Sequence, residues 1–320
     1  MTTIFQDMVE NSIGVDIGAS KMRVCLVSEE SDILWSKSAP LGPSPSPQTI
    51  ARLLERLIRD IRDDFSYAGV GVAGFVSTPK GEVIKMPNAR INHFPAASIF
   101  ARILKKRPIV VNDAVAAVYG EAVAAKSDLD LVYLTVSTGI GGAAMLNGRV
   151  VAGRDGNSHE VGHIIVDPRG RLRCGCGGSG HWEAYCSGSG IPNFAKWYVL
   201  DSEAKKSKEF KKLVESPSLK SAQIFQFART GDPTCLDFMD ELVNINAAGL
   251  ASVINVYSPS LIIIGGGVAF GRWKDYILRS FDAAGRLLAG RPPKLLRAAL
   301  GDLSSAYGAA LLAKNPASLG

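Results

Sequence analysis

The chain has no long apolar run. Its longest, such as "LIIIGGGVAF", are short and broken by glycine, and none approaches the roughly 20 apolar residues that a membrane span requires. A basic, apolar, small-residue succession is missing at the N-terminus, where Asp7 and Glu10 stand instead, so no signal peptide is expected and the cytoplasm is the expected compartment. No basic arm and no helix-turn-helix pattern precede residue 13, which argues against a nucleic-acid partner. Long stretches of one charge are absent too. The densest basic run, "EAKKSKEFKK" at 203–212, carries its own glutamates and reads as a solvated helix face, and the net charge of +6 points only weakly to a polyanionic ligand. Cysteine is scarce: of five, Cys174 and Cys176 lie one residue apart. In a cytosolic chain such uneven spacing favours metal over disulfides.

What is present is an ordinary globular composition, 47% hydrophobic and 21% charged, over 320 residues, a length that suits two lobes. Apolar, strand-like runs at 13–17 and 22–28 flank a glycine turn, and "DILWSKSA", 32–39, continues as a third strand. "PLGPSPSPQ", with four prolines, is a loop. After it, "ARLLERLIRDIRDDF" places Leu53, Leu54, Leu57, Ile58, Ile61 and Phe65 on one helical face. "YAGVGVAGFV" and "RPIVVND" read as buried strands, the second running into a helix, "AVAAVYGEAVAA". A second cycle opens at residue 131 with strand "LVYLTV", glycine turn "STGIGG" and hairpin "AAMLNGRVVAG", bent at Asn147-Gly148. Strand, small-residue turn, strand thus occurs twice, at 13–28 and 131–152, as an internal duplication of a phosphate-gripping hairpin would; the likeness is one of pattern, not of residue identity. Past residue 190 the chain reads as mostly helical. "DELVNINAAGLASVINVYSP" is a long helix ending at Pro259, "LIIIGGGVA" is strand, turn and helix start, "LLAGRPPKLLRAAL" is a loop with an edge strand, and "SAYGAALLAK", 305–314, is a last apolar helix.

Three turns carry candidate chemistry. In "DIGASK", 16–21, Gly18 and Ser20 let backbone N–H groups approach an anion, and Ser20 and Lys21 add donors. Asp16 repels phosphate but can hold a magnesium ion, or its waters, beside one. Alone, this turn reads equally well as a tight hairpin. "VSTGIGG", 136–142, offers Ser137, Thr138, Gly139, Gly141 and Gly142 after a buried strand, and Gly265, Gly266 and Gly267 again close a strand. Each is common in isolation; three, each at the C-terminal edge of an apolar strand, point to a nucleotide site. In "VVNDAVAAV", Asn112 and Asp113 sit where a strand meets a helix. Both suit a helix N-cap. Asp113 also suits a general base that takes the proton of a sugar hydroxyl as it attacks a γ-phosphate, and the two readings are compatible. The most specific stretch is "HEVGHIIVDPRGRLRCGCGGSGHWEAYCSGSG", 159–190. His163, Cys174, Cys176 and His181 bring two imidazoles and two thiols within 19 residues, a set suited to tetrahedral, structural zinc. Cys186 is left to pack. Glu160 and Glu183 flank the knot, either solvated or accepting from sugar hydroxyls. His93 reads as a surface histidine, with a ring-nitrogen contact to a sugar as the alternative.

Taken in order, "DIGASK", "VVNDA", "STGIGG", and "EVGH" with "CGCGGSGHWEAYCSG" resemble the ROK family (repressors, open reading frames, kinases) from Ile13 to about Lys314. The resemblance implies an α/β, two-lobed actin-like ATPase (ribonuclease H-like) fold, each lobe a mixed sheet with helices. It implies a short tail at 1–12, a smaller N-terminal lobe at 13–120 onto which helix 305–314 packs back, and a larger C-terminal lobe at 121–304 with the zinc knot 163–181. Asp16, Gly18, Ser20 and Lys21 would form the first phosphate motif, with magnesium on Asp16 through water. Ser137 to Gly142 would form the second, and Gly265 to Gly267 the adenosine turn. Asp113 falls on the catalytic base, with Asn112 on a sugar hydroxyl. Gly74 in "GVAGFV" and Asn88 in "KMPNARINHF" lie where the sugar is gripped, and Glu160, His163 and Glu183 on the remaining hexose contacts. His163 would then serve twice, one nitrogen on zinc and the other on substrate.

Three positions depart from the family pattern: Ala19 replaces a glycine, "STG" replaces "GTG", and His181 replaces the third zinc cysteine. Residues 1–12 are too few for the DNA-binding domain of the repressor branch. The implied activity is ATP- and Mg2+-dependent phosphorylation of a hexose at its 6-hydroxyl, glucose or a broad range, with N-acetylmannosamine the alternative. Discrimination at C2 is assigned to "NARINHF". A sugar-sensing regulator and an actin-like nucleotide hydrolase are the rival classes. The expected partners are a small-molecule sugar, a nucleotide and a second copy in a homodimer, with no nucleic acid and no membrane.

Overall fold

The computed structural model describes residues 10–320 except 19, 43–44, 62–63, 128–129 and 202–206, and omits the side chains of Asn88 and Asp201. The chain opens on β1 (Ser12–Ile17), β2 (Lys21–Val27) and β3 (Ile33–Pro40), followed by α1 (Pro47–Leu57). Ser46 and Thr49 form a capping box with Pro47 at the first helical position. The helix therefore begins inside the proline-rich segment read as a loop. It stops at Ile58 and gives way to a tighter turn, Arg59–Ile61, instead of continuing to Phe65. Next come β4 (Tyr67–Val72), β5 (Phe75–Ser77), β6 (Glu82–Met86), β7 (Ile91–Phe94), α2 (Ala96–Leu104), β8 (Ile109–Asn112) and α3 (Asp113–Ala124). The segment read as one strand, 67–76, is two, because Gly74 N–H turns back to the Val72 carbonyl (2.9 Å).

The second cycle comprises β9 (Leu131–Val136), β10 (Ile140–Leu146) and β11 (Arg149–Val150), the last two joined by Asn147 and Gly148, both at positive φ as a type I′ bend demands. The helical stretch holds α4 (Trp182–Cys186), α5 (Gly190–Asp201), α6 (Lys208–Val214), α7 (Ser221–Ala228) and α8 (Pro233–Tyr257). Of the basic run 203–212, residues 203–206 lie outside the described residues; in α6 Phe210 and Val214 are buried and Lys211 and Lys212 exposed. Then follow β12 (Leu261–Gly265), α9 (Gly267–Gly271), α10 (Arg279–Ala284), β13 (Lys294–Arg297) and α11 (Ser304–Lys314). Among the described residues no helix is long and apolar enough to cross a membrane.

The chain divides into two compact units: Met1–Tyr133 with Ala143–His159 and Ala298–Gly320, and Leu134–Gly142 with Glu160–Arg297. In the first unit a sheet runs β3-β2-β1-β4-β8, with β1, β4 and β8 parallel. Strand alternation sends Ile13, Val15, Ile17, Met22, Val24 and Leu26 to one face, where they join Ile50, Leu54, Phe100 and Leu104 in a single core. The other face carries Gly14 and Gly69. A Cβ at either would overlap the carbonyl oxygen of Ala306 or Ala309 on α11, so the helix backbone lies directly on the strands. This explains a helix that is apolar all round. Buried Glu121 on α3 secures the entry to α11, accepting from Ala299 N–H (2.8 Å), Leu300 N–H (3.1 Å) and the Ser304 hydroxyl (2.6 Å).

A second five-stranded sheet has the order β11-β10-β9-β12-β13. In the second unit α8 starts at Pro233, seven residues earlier than its sequence signal at 240, because Asp232 caps it by accepting from Cys235 N–H (2.9 Å). Trp182 of α4 lies fully buried against Gly249 of α8 and donates to Asn246 Oδ1 (2.9 Å), which fixes α4 and everything attached to it.

Candidate active site

In the first unit the functional side chains sit at the C-terminal ends of parallel strands. Asp16 ends on the α11 side of β1, directly opposite Arg23 of β2. The guanidinium donates through Nη1 to Asp16 Oδ2 (3.1 Å) and through Nη2 to Asp302 Oδ2 (2.7 Å). Asp16 is only 5% exposed; burial pushes its pKa above the usual carboxylate value, and Arg23 opposes that rise. The turn between β1 and β2 closes through Gly18 N–H to the Lys21 carbonyl (3.0 Å), leaving Ser20 and Lys21 exposed. Ala19, the departure from the family's glycine, lies outside the described residues. The carboxylate is already shared with Arg23 and largely covered, so its chemistry fits a magnesium ion held through water better than one bound directly.

Two strands away, Asn112 caps α3. Its Oδ1 accepts from Ala114 N–H (2.9 Å) and Val115 N–H (3.4 Å), and its Nδ2 donates to the Gly74 carbonyl (3.1 Å). Gly74 has to be glycine, since a Cβ would overlap the Lys85 carbonyl of β6. Asp113 is the first residue of α3, half-buried, with Oδ1 accepting from Ala114 N–H (3.0 Å). The cap is thus Asn112, and Asp113 stands just inside it. The register pairs Asp16 with Gly71 and Val72 with Asn112, so β4 alone separates the two acidic positions, a gap of about 10 Å at ordinary strand spacing. Asn88 belongs to the short turn Pro87–Ala89, its side chain outside the described residues. His93 is 61% exposed and faces Glu82 across β6 and β7 (3.3 Å), as a surface histidine.

In the second unit two glycine turns meet. Gly266, at φ +95°, admits no Cβ because one would overlap the Val136 carbonyl at the end of β9; Gly267 beside it is open. Gly265 is buried as the last residue of β12. The 137–142 turn closes through Ser137 N–H to the Gly139 carbonyl (2.9 Å) and is held from the segment 183–189. Ile140 N–H donates to Glu183 Oε2 (2.9 Å), and a Cβ on Gly139 would overlap that oxygen. Gly141 and Gly142 continue into β10, the latter buried, while Thr138 is exposed. Glu183 also accepts from the Cys174 thiol through Oε1 (3.6 Å), so one carboxylate joins the turn to the cysteine–histidine knot.

That knot gathers all four predicted ligands. The nearest donor atoms of His163, Cys174, Cys176 and His181 lie within 4.8 Å of one another. Cys174 Sγ is 3.7 Å from His163 Nδ1, and Cys176 Sγ is 3.3 Å from His181 Nδ1. A tetrahedral zinc with ordinary bond lengths would set such sulfur–nitrogen edges at about 3.5 Å, so the donor set fits that ion. His163 Nε2 faces the other way, 3.5 Å from Glu160 Oε2. Burial lifts the Glu160 carboxyl above its usual pKa, with His163 opposing and Glu183 adding to the rise. Burial likewise pushes the Cys174 thiol up to about 11. Beneath the knot, burial works to raise Asp167, but hydrogen bonds from Arg171 (2.9 Å from Nε) and Tyr185 outweigh it and hold the carboxyl at about 2. Cys186 is fully buried.

Sequence reading missed Arg23, although a hairpin closed over 18–21 must put position 23 opposite 16. It also gave no role to Ser187, Gly188 and Ser189, which lie under the 137–142 turn.

The fold and these turns define a mixed α/β protein of the actin-like ATPase class, with two glycine turns and a cysteine–histidine knot in its second unit. The chain matches the model of the ROK family over residues 12–316 and belongs to that family. It is 35% identical to a glucokinase of Pyrobaculum calidifontis over 310 residues, 96% of either chain. It is 25% identical to an N-acetylmannosamine kinase of Shigella boydii, covering 85% of this chain and 88% of the relative. Among solved structures, a ROK family glucokinase from Streptomyces griseus in complex with glucose and AMPPNP superposes with a TM-score of 0.76 at 30% identity, covering 95% of this chain and 99% of that one.

Proposed function

We propose that this protein is an ATP-dependent hexose kinase that phosphorylates glucose, or a broad range of hexoses, at the 6-hydroxyl. The observation that carries the reading is the placement of Asp113 just inside the Asn112 cap, at the same sheet edge as Asp16 and the exposed Ser20–Lys21 turn. Asp113 takes the proton of the hydroxyl as its oxygen attacks the γ-phosphorus; the bond to the β-phosphate oxygen breaks and ADP leaves. The N-terminus of α3 favours the negative charge on that base. Asn112 is engaged at both ends of its amide, so it acts first by fixing the Gly74 turn and the start of α3, and a sugar hydroxyl can use only its remaining amide hydrogen or lone pair. The turns at 16–21 and 137–142 hold the phosphates, and Gly265–Gly267 the adenosine. Asp16 would hold a magnesium ion through water, and that ion would supply charge neutralisation for the phosphates.

His163, Cys174, Cys176 and His181 would hold a structural zinc. With Nδ1 turned to the metal, His163 keeps Nε2 for Glu160 or a sugar hydroxyl. Glu160, Glu183, Gly74 and Asn88 complete the hexose contacts. The relatives named as N-acetylmannosamine kinases support a second reading, in which the acceptor is that amino sugar. A coupled assay of ADP release over glucose, other hexoses and N-acetylmannosamine tests both. Glucose-dependent ADP is expected. ADP only with N-acetylmannosamine selects the second reading, ADP without any sugar selects a hydrolase, and no ADP at all selects a sugar sensor.

A further inference from the structure

The run Ser187-Gly188-Ser189, between α4 and α5, has no part in the assignments above. We propose that Ser189, backed by Ser187, is a positioning residue for the nucleotide: it keeps the peptide planes of the 137–142 turn oriented so that their N–H groups, not their carbonyls, meet the phosphates. The proposal rests on the kinase reading and adds a residue to it.

Gly188 N–H donates to the Ser137 carbonyl (2.7 Å). Ser189 donates twice to the Thr138 carbonyl, from its N–H (3.2 Å) and from its hydroxyl (2.7 Å). In a trans peptide the carbonyl and the following N–H point to opposite sides. Holding the carbonyls of 137 and 138 down on the serine run therefore turns the N–H groups of Thr138 and Gly139 away from it. Gly139 makes the 138–139 peptide easy to flip, because glycine accepts the inverted conformation at little cost. A flipped plane would present a carbonyl oxygen to a phosphate. Ser189 is the side chain that opposes the flip.

The hydroxyl itself is fixed from below. Ser187 is fully buried, its oxygen accepts from Gly190 N–H (3.0 Å), and it lies 3.2 Å from Ser189 Oγ. Ser189 spends its single proton on Thr138, so Ser187 is the donor in that pair. The relay runs from the buried Ser187 through Ser189 to the Thr138 carbonyl. Glu183 supports the far side of the same turn at Ile140. A turn with three glycines would otherwise lose much conformational freedom on gripping a phosphate, and this preorganisation removes that cost beforehand.

Calorimetric titration with ADP, without sugar, tests the relay on wild type, Ser189→Ala and Ser189→Thr. Ser189 is exposed, so neither variant disturbs a core. Loss of one hydrogen bond of this kind predicts ADP binding weakened about three- to tenfold in Ser189→Ala. The KM for ATP should rise by the same factor, with the KM for hexose within about twofold of wild type and the melting temperature lowered by no more than a few degrees. Ser189→Thr, which keeps the hydroxyl, should recover most of the affinity. If Ser189→Ala binds ADP as tightly as wild type, or if its two KM values and melting temperature worsen together, the relay is refuted while the kinase reading stands. If wild type binds no ADP, the kinase reading falls and takes the relay with it.

Discussion

Replacing Asp113 by asparagine separates catalysis from helix capping, the two roles the sequence leaves open for this position. The structure assigns the cap to Asn112, whose Oδ1 accepts from two N–H groups of α3. An amide at 113 keeps an Oδ1 that can still accept from Ala114 N–H, now 3.0 Å away. What disappears is a negative charge in the first turn, worth about 0.3–1 kcal/mol, so the melting temperature should fall by no more than a few degrees. A general base contributes about 100- to 10,000-fold to turnover, and ADP release in the coupled assay should fall by that factor while sugar binding persists. Asn112→Ala should behave in the opposite sense. It removes the cap and the tether to Gly74, costs about 1–2 kcal/mol of stability, and lowers turnover only as far as α3 loses its place. Turnover in Asp113→Asn within tenfold of wild type would refute the assignment of the base.

Three further outcomes follow from the same structure. Cys176→Ser should lower zinc content and thermal stability together, read by metal analysis and a melting curve; absence of zinc from the unmutated protein would mean that His181 in place of a third cysteine has disabled the site. The carboxyl of Asp167 is held at about 2 in the folded state, below its unfolded value of about 3.9; the stability it contributes, up to about 2 kcal/mol, is present above pH 4 and disappears as pH falls through about 2. Acid titration of unfolding should show this limb, and Asp167→Asn should flatten it. Gly14→Ala would force a Cβ into the Ala306 carbonyl of α11 and should cost more than about 3 kcal/mol; a melting temperature near wild type would show that α11 can draw back from the sheet.

Much of the fold was legible because its signals are local. The runs at 13–17, 22–28, 131–136 and 261–264 are apolar, end in glycine or small polar residues, and became strands β1, β2, β9 and β12 within a residue or two. The hairpin at Asn147-Gly148 followed from turn chemistry alone. What escaped was short or set by partners distant in sequence. β5, β6 and β7 have three to five residues each, with no sustained period of two. The early start of α1 depends on a Ser46–Thr49 exchange hidden among prolines, and that of α8 on Asp232 before Pro233.

The site divides along the same line. Residue types that carry chemistry by themselves were readable: a carboxylate at a strand end, thiols and imidazoles at metal spacing. Residues that act by holding others were not. Arg23 matters because it faces Asp16 across a hairpin and reaches Asp302, nearly three hundred positions later in the chain. Without that guanidinium, a buried carboxylate beside the turn proposed to grip phosphate would repel that ligand, or would protonate and lose the hold on a hydrated cation proposed for it. Glu183 shows the converse. Beside the sugar contact proposed for it, its oxygens reach a backbone N–H of the glycine turn and a thiol of the knot. A residue so placed would pass a disturbance at Cys174, and so at the proposed zinc site, to the 137–142 turn. Cys176→Ser is therefore expected to weaken ADP binding as well as stability, and an unchanged ADP affinity in the zinc-depleted variant would show that Trp182, packed on α8, holds α4 and Glu183 in place without the metal.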